Sequence, residues 1–256
     1  MNQKERRLFL INDLLHEANI NANIPRSESD QKLLLRALFN VRDPKPASSR
    51  FLKIQDDYLQ EALREKGITQ LSELNQVAPQ LYIWRGDITT LQVDAIVNAA
   101  NKYLLGCFAP NHSCIDNAIH TFSGIQLRLA CDDLMKEQGG HEEKTGQAKI
   151  TPAFNLLSRY VIHTVGPIIS GKLTDYDRQQ LASCYESCLK LADENQVSSI
   201  AFCCISTGEF HFPNDEAARI AVETVKRYLN ETGSQMKVVF NVFKEKDEEI
   251  YHSLFK

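Results

Sequence analysis

The chain has 256 residues, of which 43% are hydrophobic and 24% are charged, and its formal net charge at pH 7 is −4. This length suffices for one large domain, or for one domain with a helical extension. The acidic balance argues against nucleic-acid binding, because proteins of that class carry a basic face. No apolar run approaches the ~20 residues that cross a bilayer, so we expect no membrane-spanning segment.

The N-terminus and the cysteines both indicate a cytoplasmic protein. Residues 1–20 mix charges with apolar residues and lack a small-residue cleavage site, so they do not form a secretory signal. The seven cysteines are expected to be thiols or metal ligands rather than disulfides. Only Cys107 and Cys114 lie in a loop-like segment that also contains histidine. The other five are expected to be buried as small hydrophobic residues: Cys131, Cys184, Cys188, Cys203 and Cys204.

Residues 1–78 have helical spacing and contain no convincing strand. Ser27 or Ser29 could cap the second of the helices. We expect a small all-helical N-terminal extension whose apolar faces suit either docking onto the rest of the chain or contact with a substrate protein. Apolar residues recur at the period of a helix in three segments, 6–18, 27–42 and 48–67.

Residues 79–256 alternate short apolar runs with helical stretches. Continuous apolar runs separated by helices indicate a sheet that is buried on both faces, so we predict a three-layer α/β/α domain. The predicted strands are 81–88, 94–100, 148–154, 160–165, 198–205 and 237–243. The predicted helices are 114–137, 176–195 and 214–233.

In open sheets of this kind, ligands bind beyond the carboxyl ends of the strands. The segment 205–216 follows a predicted strand and brings the small residues Ser206, Thr207 and Gly208 close to a helix start. Backbone N–H groups in such a loop can bind a phosphate, although an ordinary turn is the alternative. The sequence has neither a P-loop nor a dinucleotide-fold fingerprint.

Six motifs occur in one order: GDIT, VDAIVNAAN, AIH, TGQAKIT, YVIHTVGP and CISTGEFHFP. Together they resemble the macrodomain family, which binds ADP-ribose and in several branches hydrolyses it from modified proteins. The resemblance covers residues 79–256 and implies a macrodomain with a mixed central sheet. The extension 1–78 lies outside it.

The resemblance implies roles for individual residues. Asp87 matches the acid that accepts a hydrogen bond from the adenine amino group, with Ile88 beside it; a turn-stabilising role is the alternative for Asp87. Asn101 matches the residue that holds the distal ribose, and a capping role is its alternative. Phe243 would stack on adenine or belong to the core. The remaining implied ADP-ribose contacts are Cys114, Ile115, Asp116, Ser206, Thr207, Gly208, Glu209 and Phe210.

The segment GCFAPNHSCIDNAIH (106–120) departs from the family pattern, because it replaces a glycine-rich run with a longer stretch that contains Cys107, His112 and Cys114. Two thiols and one imidazole suit a single Zn²⁺, and three protein ligands leave the fourth position open. The alternative is two buried thiols and a surface histidine. Asp116 and His120 still align with the family, with Asp116 as a catalytic residue alongside Asn101. His120 lies on the same helical face as Asp116 and is expected to form a hydrogen bond there, with a role as a competing metal ligand as its alternative.

This combination resembles the microbial zinc-dependent branch of the family. That branch implies hydrolysis of mono-ADP-ribose from an acidic side chain, often on a lipoyl-carrier protein related to the glycine-cleavage H protein and modified by a partner sirtuin. Zinc would orient and polarise the substrate, or else activate a water, while Asp116 positions or activates the water. A non-catalytic ADP-ribose reader with a structural zinc, and an O-acetyl-ADP-ribose deacetylase, are the alternatives.

Overall fold

The computed structural model describes all of residues 1–256, and its first part is a bundle of three helices. Each begins at a side-chain cap: Asn2, Ser27 or Ser48 accepts a hydrogen bond from a backbone N–H of the first turn. Ser27, rather than Ser29, therefore caps the second helix. The helices are α1 (Gln3–Glu17), α2 (Glu28–Val41) and α3 (Ser49–Lys66).

The helical extension has a small core of its own. Leu10, Ile11, Leu35 and Phe51 are almost fully buried in it, at ~1.5–3 kcal/mol for each such side chain. Ile125, from the second part of the chain, belongs to the same cluster. The extension is therefore packed against the second part through a shared apolar contact.

The second part alternates strands and helices, as predicted. The strands are β1 (Thr69–Gln70), β2 (Gln76–Ala78), β3 (Leu81–Arg85), β4 (Leu91–Gln92), β5 (Ala95–Ala99), β6 (Ala148–Pro152), β7 (Tyr160–Thr164), β8 (Ser199–Phe202) and β9 (Lys237–Val242). The helices are α4 (Ile115–Ser123), α5 (Ile125–Glu137), α6 (Asp175–Glu194), α7 (Asn214–Thr232) and α8 (Glu245–Ser253). None of the eight helices is long and apolar enough to span a bilayer.

Seven strands form the central sheet in the order β2-β3-β9-β8-β5-β7-β6, and β1 pairs with β4 separately. The five inner strands run parallel, whereas β2 and β6 pair antiparallel at the two edges. The predicted mixed sheet is confirmed. Strand β8 is buried along its whole length, as expected for a strand covered by helices on both faces.

Three predictions about elements were wrong in detail. Residues 1–78 do contain strand, because β1 and β2 lie before residue 79 and β2 is an edge of the central sheet. The predicted helix 114–137 is two helices, separated at Gly124, whose φ of 95° lies outside the helical region. Helix α8 was not predicted at all.

The cysteine predictions hold with one exception. Cys131, Cys184, Cys188 and Cys203 are buried, but Cys204 is only half-buried. All seven are free thiols.

Candidate active site and metal centre

Three predicted site segments meet at one edge of the sheet. Asp87 follows β3, Asn101 follows β5 and Ser206 follows β8, and these strands run in one direction. Segments that follow parallel strands lie at the same edge. A contact between two of the segments is direct, because His112 Nε2 lies 3.7 Å from Glu209 Oε1.

The loop between β5 and α4 brings the three predicted metal ligands together. Cys107, His112 and Cys114 are half-buried, and their ligand atoms all lie within 4.8 Å of one another. Cys114 is the N-cap of α4, and its sulfur accepts a hydrogen bond from Asn117 N at 3.4 Å. We call residues 107–114 the ligand loop.

Two features of the ligand loop fit a divalent cation. His112 Nδ1 is buried and has no hydrogen-bond partner, as expected of a nitrogen that ligates a metal. Burial, and then the nearby Cys107 and Asp116, raise the pKa of the Cys114 thiol to about 12. A bound cation reverses this effect and favours the thiolate. Two sulfurs and one imidazole nitrogen are a donor set that suits Zn²⁺.

Asp116 lies in the first turn of α4, two residues beyond Cys114, and is only 5% exposed. Asn98 Nδ2 donates to its Oδ1 at 2.8 Å. Burial raises the pKa of this carboxyl to about 6, although Asn98 and Arg128 oppose the shift. A carboxyl with a pKa near neutrality can accept a proton during a reaction.

Asn101 lies on the other side of the same carboxylate. Its Nδ2 is 3.5 Å from Asp116 Oδ2 and donates to Gly106 O at 3.0 Å. Its Oδ1 accepts from Tyr103 N at 3.0 Å, so the side chain also stabilises the turn that follows β5. Both predicted catalytic residues are therefore brought together.

His120 does not make the hydrogen bond that was predicted for it. Its Nε2 lies 3.5 Å from Asp116 Oδ1, but neither ring nitrogen has an aligned partner. Burial, together with His163 and Arg128, holds its pKa well below the usual value, so the ring is neutral. A Cβ on Gly106 would lie 2.7 Å from the ring, so only glycine lets the loop pack this closely.

A second group of potential ligands lies inside the core. The ligand atoms of His120, Cys131 and His163 are also within 4.8 Å of one another, and all three residues are buried. Both ring nitrogens of His163 already have partners, namely Asn98 Nδ2 at 3.2 Å and Thr151 Oγ1 at 2.9 Å. His163 therefore has no free nitrogen for a metal, whereas both ring nitrogens of His120 lack a partner.

Asp87 makes the turn-stabilising contacts that were the alternative to its predicted role, and that predicted role stays a prediction. Its Oδ1 accepts from Thr89 N at 3.0 Å and from Thr89 Oγ1 at 2.6 Å, which stabilises the turn Ile88–Thr90. Lys66 Nζ donates to Oδ2 at 2.8 Å. Burial alone would raise the pKa of Asp87, but Lys66 and Thr89 outweigh it and lower the pKa. One lone pair on Oδ2 remains for an amino group. Phe243 is 78% exposed, so it does not belong to the core.

The loop after β8 presents free backbone donors. Thr207 N donates to Cys204 O at 3.4 Å, and Ser206 has a positive φ of 65°. Successive free N–H groups in such a conformation can bind a phosphate. The N–H groups with no acceptor in the protein belong to Ser206, Gly208, Glu209 and Phe210.

Comparison with known proteins identifies the fold. The family model for the Macro domain matches residues 97–221. The protein-ADP-ribose hydrolase of Treponema medium is 60% identical, over 99% of this chain and 99% of that protein. The chain belongs to the macrodomain family. The protein-ADP-ribose hydrolase of Staphylococcus aureus (strain COL) is 49% identical, over 98% of this chain and 96% of that protein. The solved Trypanosoma brucei macrodomain in complex with ADP-ribose has a TM-score of 0.67 and 29% identity, and the match covers 91% of this chain and 97% of that one.

Several residues that support the site were not predicted from the sequence. Asn98 is a polar residue in an otherwise apolar strand, and that exception was an available signal, because buried polar groups need partners. Lys66, Arg36 and Asn40 come from the extension and reach the site only through the tertiary fold. No local pattern in the sequence marks them.

Proposed function

We propose that this macrodomain is a zinc-dependent hydrolase that releases ADP-ribose from a protein side chain, with one Zn²⁺ per chain held by Cys107, His112 and Cys114. Its relatives carry the name protein-ADP-ribose hydrolase, and the chain is a hydrolase that acts on ADP-ribose linkages. One observation carries the zinc-dependent part of the proposal. Three metal-ligating atoms converge within 4.8 Å, beside a buried carboxyl that has a raised pKa.

The nucleotide half of the substrate would be bound along the edge of the sheet. Asp87 accepts a hydrogen bond from the adenine amino group beside Ile88, and Phe243 is free to stack on the ring. The free N–H groups after β8 bind the diphosphate. Asn101 holds the distal ribose next to Asp116. Binding energy from these remote groups fixes the reacting carbon near the ligand loop.

A Zn²⁺ bound by the ligand loop would polarise an oxygen of the substrate as a Lewis acid. Asp116 orients the attacking water and accepts its proton, which its raised pKa favours. The water oxygen forms a new bond to C1″ of the distal ribose as the C1″–O bond to the side chain breaks. The leaving carboxylate takes the electron pair of that bond. Asn98 and Asn101 hold the Asp116 carboxylate in place.

We further propose an acidic side chain as the site of modification, on a lipoyl-carrier protein that a partner sirtuin modifies. This rests on the resemblance of segment 106–120 to the microbial zinc-dependent branch. A carboxylate ester suits the mechanism, because a carboxylate leaves without being protonated by the enzyme.

The decisive experiment incubates an aspartate- or glutamate-ADP-ribosylated protein with the chain, with and without a chelator. We expect release of ADP-ribose that the chelator abolishes and that added Zn²⁺ restores. His112→Ala and Cys114→Ala should lose both zinc, by elemental analysis, and activity. Matched controls are His141→Ala, in an exposed loop, and Cys204→Ala, a half-buried thiol.

Three outcomes would contradict the proposal. Full activity of the ligand variants would make the metal structural or absent. Tight binding of ADP-ribose without any release would identify a reader rather than an enzyme, and release of acetate from O-acetyl-ADP-ribose alone would identify a deacetylase.

A further inference from the structure

Helix α2 of the extension contacts the ligand loop directly. Arg36 Nη2 donates to the backbone carbonyl of His112 at 3.0 Å. The same guanidinium donates through Nε and Nη2 to Asn117 Oδ1, at 3.1 and 2.8 Å. One side chain from outside the sheet domain thus reaches the loop and the helix that follows it.

Asn117 in turn donates two hydrogen bonds to the ligand loop. Its Nδ2 donates to Ala109 O at 3.0 Å, and its backbone N–H donates to Cys114 Sγ at 3.4 Å. Asn117 is completely buried. Its amide orientation is therefore fixed by Arg36 on one side and by the loop on the other.

Asn40, one turn after Arg36 on α2, also contacts both the ligand loop and α4. Asn40 Oδ1 accepts from Asn111 N at 2.9 Å, and Asn40 Nδ2 donates to Thr121 Oγ1 at 3.0 Å. Asn111 has a φ of 56°, a conformation that costs a non-glycine residue energy and needs support from its surroundings. Thr121 Oγ1 in turn donates to Asn117 O at 2.7 Å.

These contacts do more than hold the extension in place. The extension is already docked elsewhere, where Gln55 Oε1 accepts from Ile125 N at 2.9 Å and Asn155 Nδ2 donates to Asp56 Oδ1 at 2.7 Å. The contacts of Arg36 and Asn40, by contrast, end on the ligand loop and on α4. No strand or helix spans the loop between Cys107 and Cys114, so its shape depends on such supports.

We propose that Arg36, together with Asn40, is a positioning residue for the metal. Helix α2 holds the backbone between the ligands in the shape that brings two sulfurs and one imidazole to a single ion. The inference rests on the proposed zinc-dependent function, and it gives the helical extension a role at the site. Residues behind metal ligands commonly change metal affinity 10- to 100-fold when mutated.

The test measures the metal site without relying on activity. Zinc affinity is determined by competition with a chromophoric chelator, and ligand geometry by the visible spectrum of the Co²⁺-substituted protein. We expect Arg36→Ala to weaken zinc binding by about tenfold or more and to alter the Co²⁺ spectrum. Its affinity for ADP-ribose in the presence of EDTA should stay within twofold of wild type, which also shows that the variant is folded.

Lys32→Ala is the matched control, because Lys32 lies on the same helix, one turn earlier, and makes only a surface ion pair with Glu28. It should leave zinc affinity unchanged. Arg36→Lys keeps the charge but loses the planar fork of donors that contacts His112 O and Asn117 Oδ1 together, so we expect an intermediate zinc affinity. If Arg36→Ala does not bind ADP-ribose, Arg36→Lys is used in its place to test the positioning role.

These measurements distinguish a failure of the proposed zinc-dependent function from a failure of the positioning role of Arg36. If the wild-type chain binds no zinc, the proposed function is overturned, and this inference with it. If the wild type binds zinc and both Arg36 variants match it in affinity and Co²⁺ spectrum, only the positioning role is overturned.

Discussion

Replacing Asp116 by asparagine should make the protein more stable and far less active. The substitution keeps the shape of the side chain and an oxygen that can accept from Asn98. It removes both the buried charge and the ability to take up a proton. Stability and activity should therefore move in opposite directions, which a generally damaging substitution would not produce.

The size of the stability gain follows from the pKa of Asp116. Burial raises that pKa from 3.8 to about 6. A difference of about two pH units at ~1.4 kcal/mol per unit corresponds to ~3 kcal/mol. Because the folded pKa is raised, the contribution of Asp116 to stability is complete below pH 3.8 and is lost as the pH rises through 6. Asp116→Asn does not suffer this loss, so its advantage grows between pH 4 and pH 7.5.

The assay is thermal unfolding in EDTA at several pH values, together with release of ADP-ribose at pH 7.5. A gain of ~3 kcal/mol should raise the melting temperature by roughly 6–12 °C at pH 7.5, and wild type and variant should converge near pH 4. Loss of a general base should lower kcat by about 10²- to 10⁴-fold, with ADP-ribose affinity nearly unchanged. The control is Asp215→Asn, because Asp215 is an exposed aspartate in the first turn of α7. It should change neither the melting temperature nor kcat.

Two results would refute this reasoning. Wild-type activity of Asp116→Asn would remove Asp116 from the reaction. A variant that is no more stable than wild type at pH 7.5 would show that burial does not penalise the charge.

Four other substitutions test the rest of the site and the core. Asp87→Ala should weaken ADP-ribose binding about 10- to 100-fold by calorimetry, as for a hydrogen bond to a charged group, and Lys66→Ala should weaken it less; an unchanged affinity for Asp87→Ala would remove the adenine assignment. Burial lowers the pKa of His163 to about 3 from 6.5, so its contribution to stability is lost as the pH falls below 6.5. That loss is ~2 kcal/mol between pH 7 and 5, and His163→Gln should flatten the unfolding profile by this amount; an identical slope would contradict it. A Cβ on Gly166 would overlap Ser206 Oγ and crowd Ile205 Cγ2, so Gly166→Ala should displace the loop after β8 and reduce ADP-ribose affinity; a normal affinity would contradict this expectation.

The elements that have a regular apolar pattern in the sequence could be predicted from that pattern. The apolar runs around Val97 and Ile200 predicted buried strands, and both are fully buried in the sheet. The helix predicted over 114–137 failed at Gly124, because periodicity continues across the break while the backbone does not. Strand β2 is short and half-buried, so its pairing with β3 is a tertiary contact without a pattern of its own.

The candidate site likewise contains some residues that the sequence could predict and others that it could not. Cys107, His112 and Cys114 lie close together in the sequence, and the prediction that they could share one metal ion agrees with the distances between their ligand atoms. Arg36, by contrast, is separated from His112 by 76 residues and joins the site through a bond to a backbone carbonyl. Every residue has a backbone carbonyl, so the sequence does not show which one accepts a hydrogen bond. The contribution of the extension therefore could not be predicted.

The two parts of the chain are expected to unfold together, in a single cooperative transition. Arg128, in α5, is buried, and its guanidinium donates to the carbonyls of Phe39 and Arg42 in the extension and to Leu105 O near the ligand loop. Removing the extension would deprive this cation of two acceptors and would expose the apolar contact that the extension makes with Ile125. A gene encoding only the sheet domain would therefore yield a protein prone to aggregation.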